Sequence, residues 1–269
     1  MSLIMDLHNH CEFSFDSSTP MEKNIEKAIE LGIDYLSITD HLDLFYPHED
    51  YRKMLDIEGY FAKYNKLQEK YSGRIKFLSG IEVGIQTTTA QVNDEIVRSF
   101  PFDFVIGSIH EINGEDLVTD FVIEKFKDIK DFYKYYYEET QKAVEESKEF
   151  DVLGHIDYMD RYIDDIKSIP DICEYKEYLI PTLKNLISRN KGIEVNTAGP
   201  RKGLPYMHPK KQVLEWYKEL GGEIITIGSD AHQARDIGKG VEEAVELLKE
   251  CGFTTVSVFE KRKEKKILL

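Results

Sequence analysis

Short apolar runs recur along this chain with room for one helix between each pair, and that rhythm narrows the folds open to it more than any other feature. The runs are LIMDLH, YLSITDH, IKFLSGIEVG, FDFVIGSIH, FDVLGHID, GIEVNT, EIITIGSDAH and TTVSVF. Helical periodicity fills the gaps. MEKNIEKAIELG follows Thr19-Pro20, a pair suited to a helix start, and VEEAVELLKECG ends on a glycine suited to a helix stop. Strand then helix, seven times over, is the pattern of a parallel sheet. Nearly continuous apolar strands imply burial on both faces, and seven units favour a closed barrel over an open sheet. The 269 residues suit one domain, 1–269, since barrels of this class run to about 250 residues around a single core. The expectation is an α/β fold, a (β/α)7 barrel. Three connections, 42–56, 111–127 and 157–173, exceed what the pattern needs; each follows a strand and so belongs on the face where barrel active sites lie.

That map places the histidines. His8 and His10 close the first run, His41 the second, His110 the fourth and His155 the fifth, while Asp230 and His232 close the seventh and Glu82 ends the third. Six of the eight histidines therefore fall at the C-terminal ends of strands, where a barrel gathers its loops. Residues i and i+2 point to one side of a strand, so His8 with His10, and Asp230 with His232, can face a common centre. Crowding these imidazoles with Asp16, Glu82 and Asp230 is costly without cations, because the carboxylates repel and the rings lose their water. Imidazole and carboxylate without thiolate suit zinc, iron or manganese. About nine such groups exceed the needs of one ion, which predicts two or three divalent metals sharing a carboxylate.

HxH near the N-terminus, TDH about thirty residues on, GIE, GSIH, GH and SDAH form the motif series of the PHP (polymerase and histidinol phosphatase) family, and the chain resembles that family from Asp6 to about Phe259. Within it the chain looks like the histidinol-phosphate phosphatases of histidine biosynthesis. The resemblance implies a distorted (β/α)7, TIM-barrel-like fold and a trinuclear metal centre. His8, His10, Glu82 and Asp230 would hold one metal. Glu82, His110 and His155 would hold a second across a Glu82 bridge, and Asp16, His41 and His232 a third. Asp40 and Asp43 are nearby carboxylates able to stand in for Asp16. The implied reaction is hydrolysis of a small phosphate monoester, L-histidinol phosphate above others, by direct attack of a metal-bridging hydroxide. Arg161 and Arg201, in loops after the fifth and sixth strands, are placed to fork onto the phosphate, with Lys202 a weaker candidate. His232 or Asp16 could protonate the leaving group, as could a metal-bound water.

The remaining residues divide unevenly. Glu111, Asp160 and Asp43 are available for the ammonium and imidazole of an amino-alcohol substrate. Asn196 is expected to orient substrate or a neighbouring group. His48 and His208 lie off the strand ends and read as surface or helix-start residues, Cys11 is turned away from the metals by alternation, and the aromatic run FYKYYYEETQKAV reads as packing. Fifty acidic residues against 35 basic ones give a net charge of -15, which opposes nucleic-acid binding; the basic tail KRKEKK, 261–266, reads as a solvated terminus. Three scattered cysteines without CxxC fit a reducing cytoplasm. No apolar run reaches the roughly 20 residues a membrane span requires, and no signal-peptide pattern is present. Other phosphoesterase activities of the family, on nucleotides, phosphotyrosine or 3′ ends, and a non-enzymatic metal-binding scaffold stay open as alternatives, and oligomeric state is undetermined.

Overall fold

The computed structural model describes residues 5–44, 55–117 and 122–269; His48 lies outside them, as do parts of the two connections 42–56 and 111–127. The chain forms β1 (Met5–Asp6), α1 (Met21–Leu31), β2 (Tyr35–Ile38), β3 (His41–Leu42), α2 (Ile57–Lys70), β4 (Lys76–Gly84), α3 (Ala90–Ser99) and β5 (Phe104–Ser108). A small hairpin of β6 (Glu111–Ile112) and β7 (Glu115–Asp116) follows. Then come α4 (Ile129–Glu146), β8 (Val152–Leu153), α5 (Lys176–Ser188), β9 (Gly192–Asn196), α6 (Lys211–Glu219), β10 (Ile225–Gly228), α7 (Val241–Glu250) and a second hairpin of β11 (Thr255–Glu260) and β12 (Lys263–Leu268).

The seven predicted strands pair in parallel in the order β1-β2-β4-β5-β8-β9-β10. The sheet then curls back on itself, because Leu7 N donates to Ile227 O at 2.9 Å and Asp230 N to His8 O at 2.7 Å. The Asp6 carboxylate tightens that seam by accepting from Ser229 N and Gly238 N, each at 2.7 Å. The architecture is the (β/α)7 barrel that the strand rhythm predicts, in the distorted form that the family resemblance implies. Leu36, Ile38, Ile81, Val105, Ile193 and Ile227, all fully buried, lie on the face of the sheet turned away from Glu82 and Glu194, where the helices cover it. On α1 the buried Met21, Ile25 and Ala28 recur at helical spacing, which docks that helix by one stripe. On α4 the tyrosine-rich run buries Phe132, Tyr133, Tyr136 and Tyr137, so those rings are packing, as expected.

Two local readings need correction. The second run is not one strand: it breaks after Ile38, and β3 re-forms with His41 level with Glu82 on β4. Asp40, in the break, accepts from Cys11 N at 2.6 Å and from the buried Cys11 Sγ at 2.9 Å. The basic tail is also not a loose terminus. Residues 263–266 open β12 and pair antiparallel with β11, while their side chains stay exposed, the solvated state expected of them.

Candidate metal centre

At the C-terminal mouth of the barrel the strand-end residues converge on Glu82. Its Oε2 lies 3.1 Å from His8 Nε2, 3.5 Å from His10 Nε2 and 3.1 Å from His41 Nδ1; its Oε1 lies 3.3 Å from His110 Nε2 and 3.0 Å from His155 Nε2. Asp230 Oδ1 sits 3.4 Å from His10 Nε2, and Asp16 Oδ2 sits 2.7 Å from His232 Nε2. The His10 ring stacks between those of His41 and His232, with centroids 4.3 and 4.2 Å away. All nine predicted ligands thus meet in one place. Asp230 holds its position with φ of 56°, a left-handed backbone that is strained for a residue with a Cβ. Gly228, two residues earlier, leaves room for His8, since a Cβ there would lie 2.2 Å from the His8 Cβ.

The electrostatics of this cluster are conflicted. Burial alone would push the Glu82 carboxyl up, but the His8, His41 and His110 imidazoles hold it well below the carboxylate range. Burial opposes charge on His41 too, yet Glu82 and Asp16 lift it to about 9. Burial and the neighbouring His232 and His41 rings push His10 down to about 3, while burial takes His155 to about 4 despite Glu82. Protons alone therefore leave some rings charged and others bare around one desolvated carboxylate. Several atoms here, His8 Nε2, His10 Nε2, His41 Nδ1, His155 Nδ1 and Glu82 Oε2, are buried with no hydrogen-bond partner among the described residues. Orphaned imidazole nitrogens and carboxylate oxygens fit divalent cations, which accept such lone pairs without needing a proton. Their donor atoms cluster as His10, Asp16, His41 and His232; as His8, His10 and Glu82; as His8, His155 and Asp230; and as Glu82, His110 and His155, each within 4.8 Å.

Several residues hold this set from behind, and of these Glu194 and Ser108 escaped the sequence reading. Glu194 on β9, 1% exposed, takes His8 Nδ1 at 2.6 Å and His155 N at 3.2 Å. A glutamate inside the apolar run GIEVN was the signal available for it. Asp43 Oδ1 lies 3.0 Å from His110 Nδ1, and Ser108 Oγ donates to Glu82 Oε1 at 2.6 Å. Asn196 accepts from Arg161 Nη2 at 2.8 Å through its Oδ1, an orienting role like the one expected. His208 is a correction: it is fully buried, with Nδ1 on Asp157 and Nε2 on Arg161, rather than at the surface.

Over the cluster lies a cleft of about 100 Å³ lined by Asp16, His41, Glu82, His110, His155, Tyr158, Arg161, Tyr162, Lys202, Asp230 and His232. Arg161 and Lys202 therefore reach it. Arg201 does not line it: its guanidinium donates to the backbone carbonyls of Thr197, at 3.3 Å, and Ser229. The three anionic candidates for the amino alcohol also sit elsewhere. Asp160 is fully buried and holds Tyr133 Oη at 2.5 Å and Tyr206 Oη at 2.9 Å; Asp43 braces His110. Glu111 is paired with Gln86, and burial with the nearby Asp43 pushes its carboxyl up to about 8.

Residues 6–198 match the family model described as the PHP domain. The chain belongs to the PHP domain family. The histidinol-phosphatase of Lactococcus lactis subsp. lactis is 31% identical to it over 95% of this chain and 94% of its own length. The probable histidinol-phosphatase of Clostridium acetobutylicum is 34% identical over 97% of this chain and 98% of its own. The crystal structure of the histidinol phosphate phosphatase from Lactococcus lactis, complexed with zinc, L-histidinol and phosphate, matches this PHP fold with a TM-score of 0.87. That match has 30% identity and covers 98% of this chain and 99% of the other.

Proposed function

We propose that this PHP protein is a metal-dependent phosphatase that hydrolyses L-histidinol phosphate to L-histidinol and phosphate. The observation that carries the reading is the convergence of six imidazoles with Asp16, Glu82 and Asp230 beneath a cleft that also receives Arg161 and Lys202. Nearly full-length similarity to histidinol-phosphatases supports the substrate. The residues fit two or three cations of zinc, iron or manganese, zinc being the metal of the Lactococcus lactis complex. His8, His10, Glu82 and Asp230 would hold the first, Glu82, His110 and His155 the second, and Asp16, His41 and His232 the third. When bound, such cations acidify water and neutralise phosphoryl oxygens.

The chain's own groups supply the rest. Among the described residues Glu82 is the one carboxylate that faces His8, His10 and His41 on one oxygen and His110 and His155 on the other, the position of a bridge. Arg161 and Lys202, which both line the cleft, bring positive charge to the phosphoryl group. Asp16 and His232, with side chains 31% and 33% exposed, are the members of the cluster most open to solvent, and a proton for the leaving alkoxide is exchanged there. Tyr158 and Tyr162 line the cleft and offer aromatic surface to the organic part of the substrate. Zinc- or manganese-loaded protein should release phosphate from L-histidinol phosphate with a kcat/KM at least about tenfold above that for nucleoside monophosphates or phosphotyrosine. Equal or lower activity on L-histidinol phosphate refutes the substrate, and no phosphatase activity with metal bound refutes the enzyme.

A further inference from the structure

Arg161 reaches the mouth of the barrel already held on three sides. Its Nε donates to His208 Nε2 at 3.1 Å, its Nη1 to Asp230 Oδ2 at 2.8 Å and its Nη2 to Asn196 Oδ1 at 2.8 Å. The guanidinium also lies over the Tyr158 ring, 5.2 Å from its centroid. An arginine has five N–H groups in a fixed plane, so one hydrogen remains on each terminal nitrogen for a ligand in the cleft.

Together with the two Nη contacts, the Nε contact fixes that plane. The contact requires a bare nitrogen on His208. Nδ1 of His208 lies 2.6 Å from Asp157 Oδ1, and a carboxylate only accepts, so the ring proton belongs on Nδ1. Nε2 is then a lone pair facing Arg161 Nε–H. Either of the other protonation forms would set N–H against N–H. Both His208 and Asp157 are buried, and Asp157 is itself anchored by Lys210 N at 2.8 Å.

The backbone gives His208 a rigid base. Asn196 N donates to His208 O at 2.7 Å and His208 N to Asn196 O at 2.9 Å, so the loop after β9 folds back and is clipped to the end of its own strand. Gly199 permits that return, since a Cβ there would lie 2.1 Å from Tyr206 O.

From this geometry we infer that Asp157 and His208 are positioning residues for the phosphate-binding arginine. Asp157 fixes the Nδ1–H tautomer of His208, and His208 Nε2 holds the Arg161 guanidinium in the plane that presents its two free N–H groups to the phosphoryl group. The inference rests on the reading of Arg161 as a phosphate contact.

A double-mutant cycle on the metal-loaded enzyme tests it, with kcat/KM for L-histidinol phosphate, the inhibition constant of inorganic phosphate and metal content as readouts. Arg161→Lys and His208→Gln should each lower kcat/KM and weaken phosphate inhibition by about tenfold or more, the scale of one lost charged contact, with metal content unchanged. In the Arg161→Lys background, which has no Nε to hold, adding His208→Gln should cost less than about twofold. Additive losses overturn the positioning role while leaving Arg161 at the phosphate. A silent Arg161→Lys overturns the phosphate reading itself, and the positioning role with it. Nitrogen-15 NMR of the histidine rings in the unmutated enzyme adds a check that needs no variant to fold: His208 must show a protonated Nδ1 and a bare Nε2. A proton on Nε2 overturns the inference.

Discussion

The two ends of this barrel handle buried charge in opposite ways. At the N-terminal end, Asp103 and Asp151 stand just before β5 and β8, and the turn between β11 and β12 folds over them. Asp103 accepts from Ser79 N at 3.0 Å, Ser79 Oγ at 3.1 Å, Tyr64 Oη at 3.2 Å and Lys261 N at 2.8 Å. Asp151 accepts from Val105 N and Arg262 Nε, both at 2.8 Å. At the C-terminal end, Glu82 is fully buried, deeper than Asp151 or the half-buried Asp103, yet it and its imidazoles keep atoms with no hydrogen-bond partner among the described residues. An unpartnered buried polar group costs about 1 to 3 kcal/mol, so one end is built for stability and the other gives stability up where chemistry needs lone pairs. Saturation of buried polar groups, more than their number, separates the closing end from the working end.

Substitutions at each end should therefore separate activity from stability. The largest effect is expected from Glu82→Gln, which keeps size but removes the charge that faces five imidazoles. We expect kcat/KM for L-histidinol phosphate to fall by at least about a hundredfold with a loss of bound metal, read by steady-state kinetics and elemental analysis. Unchanged turnover and metal content would erase the contrast. Next comes Arg262→Ala at the closing end. Burial already lifts the Asp151 carboxyl above its usual range, and Arg262 offsets that only in part, so removing the guanidinium leaves a buried acid poorly compensated. Denaturant unfolding should show a loss of about 1 to 3 kcal/mol, with kcat/KM within about twofold of the parent. The smallest effect concerns Lys261, which with Arg262 occupies a two-residue turn at φ of 53° and 61°. Asparagine tolerates that backbone better and keeps the N–H to Asp103, so Lys261→Asn should gain about 0.5 kcal/mol at unchanged activity. A loss of stability instead would mean that the lysine side chain supports the turn.

Much of the barrel was legible because its strands are apolar on both faces and its ligands sit at strand ends, where a periodicity of two fixes direction. What stayed hidden depends on contacts distant in sequence. His208 lies off every strand, and only the clip to Asn196 brings it under Arg161. Arg201 and Lys202 are neighbours in one tight turn, and which of them meets the cleft is set by that turn's geometry rather than by residue type. The charged tail gave no apolar alternation of its own, since β12 is an exposed edge made regular by its partner β11. Glu194 was within reach: a carboxylate in an otherwise apolar strand has to find a buried partner.

The seam of the barrel also sets a clock. Leu7 meets Ile227 and His8 meets Asp230, so the first strand finds its second neighbour only when the chain has grown by more than two hundred residues. During synthesis, Glu82, His110 and His155 exist together long before Asp230 and His232 emerge. A growing chain can gather one trio early but must wait for β10 before His8 and His10 face Asp230. Contacts of such long sequence separation form slowly. Under the proposed ligand assignment, a complete metal site would then mark a finished molecule.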